Sequence, residues 1–231
     1  MGITLIGLDA DDTLWHSEDG FHSVTGRFCE LVGPYANGSG DLAHTLDSVE
    51  RRNMVLFGYG VKSFTLSMVE AAIEVTGGQV PAEVIQRLVD EGRTLLSRPV
   101  ELLAGVEETL AALAGTYRMV VITKGDLLHQ EQKFHGSGLD RHVEGIDVVS
   151  EKDVRTYSRL MARHRVEPSG FLMVGNSVRS DVLPVLEVGG RAVHIPYEYL
   201  WSHEAAEHDG AVPTLTSIVE LPEWLAGELA G

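Results

Sequence analysis

The sequence predicts an α/β protein, a doubly wound parallel sheet with a block of helices inserted after its first strand. Three observations carry that prediction. Ile3 to Leu8 is apolar without alternation, the pattern of a strand buried on both faces, and parallel sheets bury both faces. From about Ser17 to Arg98 the chain shows helical periods and no convincing strand. From Pro99 onward, helical and strand-like stretches alternate, as βαβ units require. Together they predict a Rossmann-like core of residues 1–16 and 99–231, with residues 17–98 as an inserted α-helical domain.

Within the insert, Phe21, Val24, Phe28, Leu31 and Val32 share one face of a first helix, which Gly33-Pro34 stops. Leu42 to Phe57, Lys62 to Thr76 and Pro81 to Leu96 are three more. Gly77-Gly78 ends one of these, and Pro81 suits the first turn of the next. Gly58-Tyr59-Gly60 is a turn between helices, because it lacks the third glycine of a dinucleotide fingerprint; no Walker A pattern exists either. Val106 to Ala114 then forms a helix and Tyr117 to Ile122 a second buried strand. A helix from Leu127 to His135 leads through Gly136-Ser137-Gly138 to a strand at Ile146 to Val149. The helix Thr156 to Arg165, the strand Gly170 to Val174, the helix Val182 to Val188 and the strand Arg191 to Ile195 complete the alternation. Beyond them, Tyr197, Tyr199 and Trp201 belong to no motif. His203 and His208 flank Glu204 and Glu207, but i and i+5 do not share a helix face, so a polar surface helix is expected there rather than a metal site. Trp224 and Leu225 are expected to pack the tail onto the core.

Composition excludes several function classes. With 231 residues the chain can bury a full core. A formal charge of −16 argues against a nonspecific grip on nucleic acid, while leaving room for an anionic small molecule in a cleft with local cations. No apolar run reaches the roughly 18 residues of a membrane span, and no basic segment precedes the first strand as in a secretory signal, so the cytoplasm is the expected compartment. Cys29 is the single cysteine, which rules out an internal disulfide and a Cys-based zinc site; a small buried residue on a helix is expected.

Candidate chemistry gathers at the strand ends. Asp9, Asp11 and Asp12 put three carboxylates into four residues after the first strand. Alone, such a cluster reads as a solvated turn. If buried, it demands a nearby cation or a member tuned to keep its proton. The second strand ends in Thr123-Lys124-Gly125-Asp126, the third leads into Ser150-Glu151-Lys152-Asp153, and the fourth ends in Gly175-Asn176-Ser177-Val178-Arg179-Ser180-Asp181. Ligands of parallel α/β sheets bind outside the carboxyl ends of the strands.

Asp9-Ala10-Asp11-Asp12-Thr13-Leu14 resembles the first motif, Asp-x-Asp-x-Thr, of the haloacid dehalogenase (HAD) superfamily, and the three later stretches resemble its remaining motifs in order. The resemblance implies a mobile helical cap and a Mg²⁺-dependent phosphatase that hydrolyses a small phosphorylated metabolite through an aspartyl-phosphate. It implies Asp9 as nucleophile, Asp11 as acid and base with a raised pKa, and Lys152 as the charge-neutralising lysine. Thr123 and Thr13, with Lys124 and Gly125, would hold phosphoryl oxygens and the loop. Asp9, the backbone carbonyl of Asp11, Asn176 and Asp181 would hold Mg²⁺. Two positions depart from the pattern: Asp153 stands where many members have proline, and Asn176 where an aspartate is usual, offering a neutral and weaker ligand. Trp15, His16, Glu18 and Arg52 are candidates for leaving-group contacts, with Trp15 reading more readily as core or hinge. The alternatives are a phosphomutase or phosphotransferase, a 2-haloacid dehalogenase, and a catalytically weakened phosphoester-binding protein. The dehalogenase branch typically lacks an acid at the position of Asp11. Neither nucleic acid nor membrane is an expected partner, and the oligomeric state is left open.

Overall fold

The computed structural model describes residues 2–38, 40–198 and 212–230. Five strands, β1 (Leu5–Leu8), β2 (Arg118–Lys124), β3 (Ile146–Val149), β4 (Phe171–Gly175) and β5 (Arg191–His194), form one sheet of order β3-β2-β1-β4-β5. Every pairing is parallel, with Leu8 opposite both Val121 and Val174. The chain runs outward from β1 through β2 to β3, then returns to the other side of β1 for β4 and β5. That reversal places a topological switch point at the carboxyl end of β1.

Helices cover both faces. On one face, Ile6, Leu8, Met119, Val121, Leu172, Val174 and Val193 pack against α5 (Val106–Leu113), Phe134 of α6 (Leu127–Ser137) and the tail helix α9 (Leu221–Ala230). On the other, Leu5, Val120, Ile122, Phe171 and Met173 meet Tyr157, Leu160 and Met161 of α7 (Val154–His164) and Val185 of α8 (Leu183–Glu187). Adjacent residues of one strand thus serve opposite cores, which is why these strands are apolar throughout. As expected, Leu225 is buried and Trp224 packs beside it.

Four helices separate β1 from β2: α1 (Glu18–Val32), α2 (Leu42–Phe57), α3 (Val61–Val75) and α4 (Ala82–Leu96). The chain divides into two compact units. One comprises the described residues of Met1–Glu18, Val100–Lys124 and Gln130–Gly231; the other is Asp19–Pro99 with Gly125–His129. Phe28, Leu46, Phe64, Met68 and Leu88 form the core of the helical unit. Asp41 starts α2 by accepting the His44 amide at 3.1 Å. Gly92 lets α4 approach α3, since a Cβ there would lie 2.1 Å from Thr65 Oγ1. Lys62 pairs with both Asp126 carboxylate oxygens at 2.9 Å.

Three local expectations are corrected. The first strand begins at Leu5 rather than Ile3. Cys29 is half-buried, because it sits one position off the buried stripe of Val24, Phe28 and Leu31. Ahead of α8, residues Val178–Val182 form a π-helical turn in which the Leu183 amide reaches the Val178 carbonyl. Among the described residues no helix is long and apolar enough to cross a membrane.

Candidate active site

The carboxyl ends of β1, β2 and β4, with the loop after β3, bring the predicted residues of the sheet unit together. Asp9 leaves β1 with its amide bonded to the Val174 carbonyl at 2.9 Å. Its carboxylate and that of Asp181 converge on the buried Lys152, which donates to Asp9 Oδ1 and, at 2.6 Å, to Asp181 Oδ1. The remaining Asp9 oxygen accepts from Thr13 Oγ1 at 3.2 Å. Asp181 Oδ2 accepts the Ser177 amide at 3.1 Å. A Cβ on Gly175 would lie 2.2 Å from that same oxygen, so only glycine lets the Asp181 carboxylate close over the end of β4. Asp153, the neighbour of Lys152, caps α7 through the Thr156 amide at 2.7 Å and so fixes the backbone next to the lysine.

Two buried carboxylates share one ammonium in this trio. Burial raises the Asp9 carboxyl well above its ordinary range, opposed by Lys152 and reinforced by Asp181 and Asp11. Burial alone would lower the Lys152 ammonium, yet Asp181 and Asp9 hold it above the usual lysine value.

Asp11 sits in a different setting. Its Oδ1 accepts from Trp15 Nε1 at 2.7 Å and pairs with Lys133 Nζ, and its Oδ2 accepts from Gln130 Nε2 at 2.7 Å. The raised pKa expected of Asp11 is therefore corrected. Burial does push upward, but Lys133, Gln130 and Trp15 together outweigh it and hold the carboxyl below its ordinary value. The member of the cluster pushed up beside it is Asp12, to about 8, by burial, Asp11 and Glu18 against its bonds from backbone amides. Asp12 takes a left-handed φ of 61° and accepts the Ser17 and Glu18 amides at 2.9 and 3.2 Å, closing the start of α1.

The other predicted residues divide between the two units. Thr123 Oγ1 lies 3.2 Å from Gln130 Nε2, and Lys124 Nζ reaches Ser180 Oγ at 3.0 Å and Glu151 at 3.5 Å. Gly125 has φ 128° and groups with the helical unit. Asn176 Oδ1 is 3.5 Å from Thr13 Oγ1, while its backbone carbonyl faces His194 Nε2 at 3.0 Å. His16 Nδ1 meets Tyr197 Oη at 2.6 Å. Trp15 is fully buried, as a core residue should be, and uses its indole on Asp11. Glu18 takes part through its amide, and Arg52 pairs with Glu74 and Glu70 on the helical unit at 3.0 and 3.5 Å. Tyr199, Trp201, His203 and His208 lie outside the described residues. Gln130 and Lys133 were not singled out by the sequence; the available signal was a polar pair three residues apart on the same stretch of helix as the buried Phe134.

The donors present fit a hard cation. Among the described residues no three His, Cys, Asp or Glu side chains converge as a metal set. The candidate set is instead the carboxylates of Asp9 and Asp181 with the neutral oxygens of Asn176 and the Asp11 backbone, all oxygen, as Mg²⁺ prefers. The Asp9–Lys152–Asp181 trio carries a net −1 when fully ionised, which added positive charge would offset.

A model of the haloacid dehalogenase-like hydrolase family matches residues 3–189. A haloacid dehalogenase-like family hydrolase from Xanthomonas campestris is 43% identical, with 99% of this chain and 91% of that chain covered and a TM-score of 0.87. At the level of fold, a 2-haloacid dehalogenase from Pseudomonas syringae pv. Tomato DC3000 is similar, with 19% identity, 98% and 99% coverage and a TM-score of 0.65. So is the HAD-hydrolase YfnB from Bacillus subtilis, solved bound to magnesium, with 14% identity, 97% and 99% coverage and a TM-score of 0.67. No curated protein matches the chain.

Proposed function

The chain belongs to the haloacid dehalogenase-like hydrolases, and from that premise we propose that it is a Mg²⁺-dependent phosphatase of a small phosphorylated metabolite, working through an aspartyl-phosphate on Asp9. The observation that carries this reading over a dehalogenase is Asp11. Carbon–halogen cleavage expels a halide that needs no proton, whereas an alkoxide leaving from phosphorus does. A carboxylate two residues from the nucleophile, held by three donors, supports the second chemistry.

In the first half, an Asp9 oxygen attacks phosphorus, the ester P–O bond breaks, and its electron pair stays with the leaving oxygen, which takes a proton from Asp11. In the second, water attacks the phosphorus of the aspartyl-phosphate and yields its proton to Asp11 as the bond to Asp9 breaks. Asp11 rests ionised, as the second half requires; an incoming phosphate, as a like charge, favours the protonated form that the first half requires. Lys152 opposes the burial that raises Asp9, favouring its anionic form, and would balance charge on the phosphoryl group. Mg²⁺, held by Asp9, the Asp11 carbonyl, Asn176 and Asp181, would supply electrostatic stabilisation of the transferring group. Thr123 and Thr13 fit as hydroxyl donors to phosphoryl oxygens. The same reading takes the cytoplasm as compartment and excludes nucleic acid as a partner, which the −16 charge supports.

Phosphate release from aryl phosphates and a metabolite panel, with and without Mg²⁺, tests the proposal. Magnesium-dependent release is expected, with a loss of at least about 10³-fold in Asp9→Asn. A folded protein that frees no phosphate but frees halide from a 2-haloacid would overturn it.

A further inference from the structure

Lys133 is a lysine in an unusual place. Its side chain is only 12% exposed, its ammonium is paired with Asp11 Oδ1, and it sits 5.7 Å from the centroid of the Trp15 ring. A lysine serving solubility would extend into water. Gln130, one turn earlier on α6, is buried, and its amide nitrogen faces Asp11 Oδ2 at 2.7 Å, the Lys124 carbonyl at 2.6 Å and Thr123 Oγ1 at 3.2 Å. Its carbonyl oxygen has no partner among the described residues. A buried amide with an unmet acceptor costs stability, so apolar packing would serve the fold better at this position. What the amide does accomplish is to join the Asp11 carboxylate to the end of β2.

We propose that Lys133 and Gln130 are positioning residues that fix the Asp11 carboxylate for proton transfer to and from the reacting oxygens. The inference rests on the phosphatase reading above. A carboxylate offers about four acceptor sites. Lys133 and Trp15 occupy both on Oδ1, and Gln130 takes one on Oδ2, leaving a single lone pair with a defined direction. Without Lys133, Trp15 and Gln130 leave one donor on each oxygen, a second lone pair opens on Oδ1, and the single direction is lost. Binding of substrate is untouched, so the defect belongs in kcat and grows with the basicity of the leaving group.

The experiment compares the wild type with Lys133→Met and Lys133→Arg on phenyl phosphate and 4-nitrophenyl phosphate, with Mg²⁺ present. The two esters share a shape, but phenolate is the more basic leaving group and depends more on the proton. For Lys133→Met, kcat on phenyl phosphate should fall about thirtyfold and on 4-nitrophenyl phosphate about threefold, with KM within about twofold. Lys133→Arg, which keeps the charge and the donors, should recover most of the phenyl phosphate rate. Gln130→Met should show the same unequal loss to a smaller degree. Equal losses on the two esters in kcat/KM, which reports only the half that expels the ester oxygen, a change confined to KM, or no benefit from arginine over methionine would overturn the positioning role while leaving the phosphatase reading intact. Failure of the wild type to release phosphate from either ester would instead remove the phosphatase reading, and this inference with it.

Discussion

Asp9 and Asp11 are two residues apart on one turn, and their surroundings drive them in opposite directions. Asp9 divides a single ammonium with Asp181, and burial prevails. Asp11 is half-buried, and it has Lys133 to itself and adds an indole and an amide donor, so the donors prevail. Crowding of carboxylates therefore does not decide which one holds a proton; the number of donors and cations per carboxylate does.

The strongest way to break the comparison is to remove the cation from the Asp9 side. Lys152→Met leaves two buried carboxylates facing each other, and a loss of about 3–5 kcal/mol is expected. Thermal unfolding would register this as a fall of about 10 °C in the transition of the sheet unit. An unchanged transition would mean that the trio is not the buried ion cluster described.

A smaller effect sharpens the comparison by adding charge to the Asp9 side. Asn176→Asp introduces a carboxylate beside Thr13, so the metal-free protein should melt lower, and Mg²⁺ should bind about tenfold tighter, as read from the Mg²⁺ dependence of phosphate release. Weaker Mg²⁺ dependence of the variant would remove Asn176 from the metal set.

The smallest effect asks whether the same rule operates away from the site. Glu50 on α2 is half-buried and raised to about 7, chiefly by burial, with Asp47 adding to the rise and Arg51 opposing it. A group raised in the folded state gives its full stabilisation below its ordinary pKa of 4.5 and loses it as the pH rises through about 7. Stability of the helical unit should therefore decline between pH 4.5 and 7. Glu50→Gln should flatten that decline and gain about 1–2 kcal/mol at pH 8. Urea titrations at several pH values would show it, and parallel curves for the two proteins would refute it.

The strand ends were legible because each is a sharp change from an apolar run to polar residues, and a parallel sheet collects such changes at one edge. Asp9, Thr123, Lys152 and Asp181 follow from that rule and from the family's motif order. The setting of Asp11 was not legible. Its partners Gln130 and Lys133 are 119 and 122 residues away, on a helix whose polar residues look like an ordinary wet face. The sequence displays how many carboxylates crowd a turn but not how many donors the fold aims at each. Asn176 and Asp153, both departures from the family pattern, also resolve only in three dimensions: one keeps an oxygen toward Thr13, and the other caps a helix.

The π-helical turn at Val178–Val182 makes the spacing between β4 and Asp181 a matter of chain length as well as of residue type. Deleting one residue there would let the turn relax to an ordinary α-helix and swing the downstream residues by about 100° around the axis. Asp181 would leave Lys152 with every side chain of the site still encoded. Families of shortened and lengthened chains should thus tolerate gaps in the loop before α2 and none within this turn, so that indel tolerance marks the Asp181 side of the site as clearly as any point substitution.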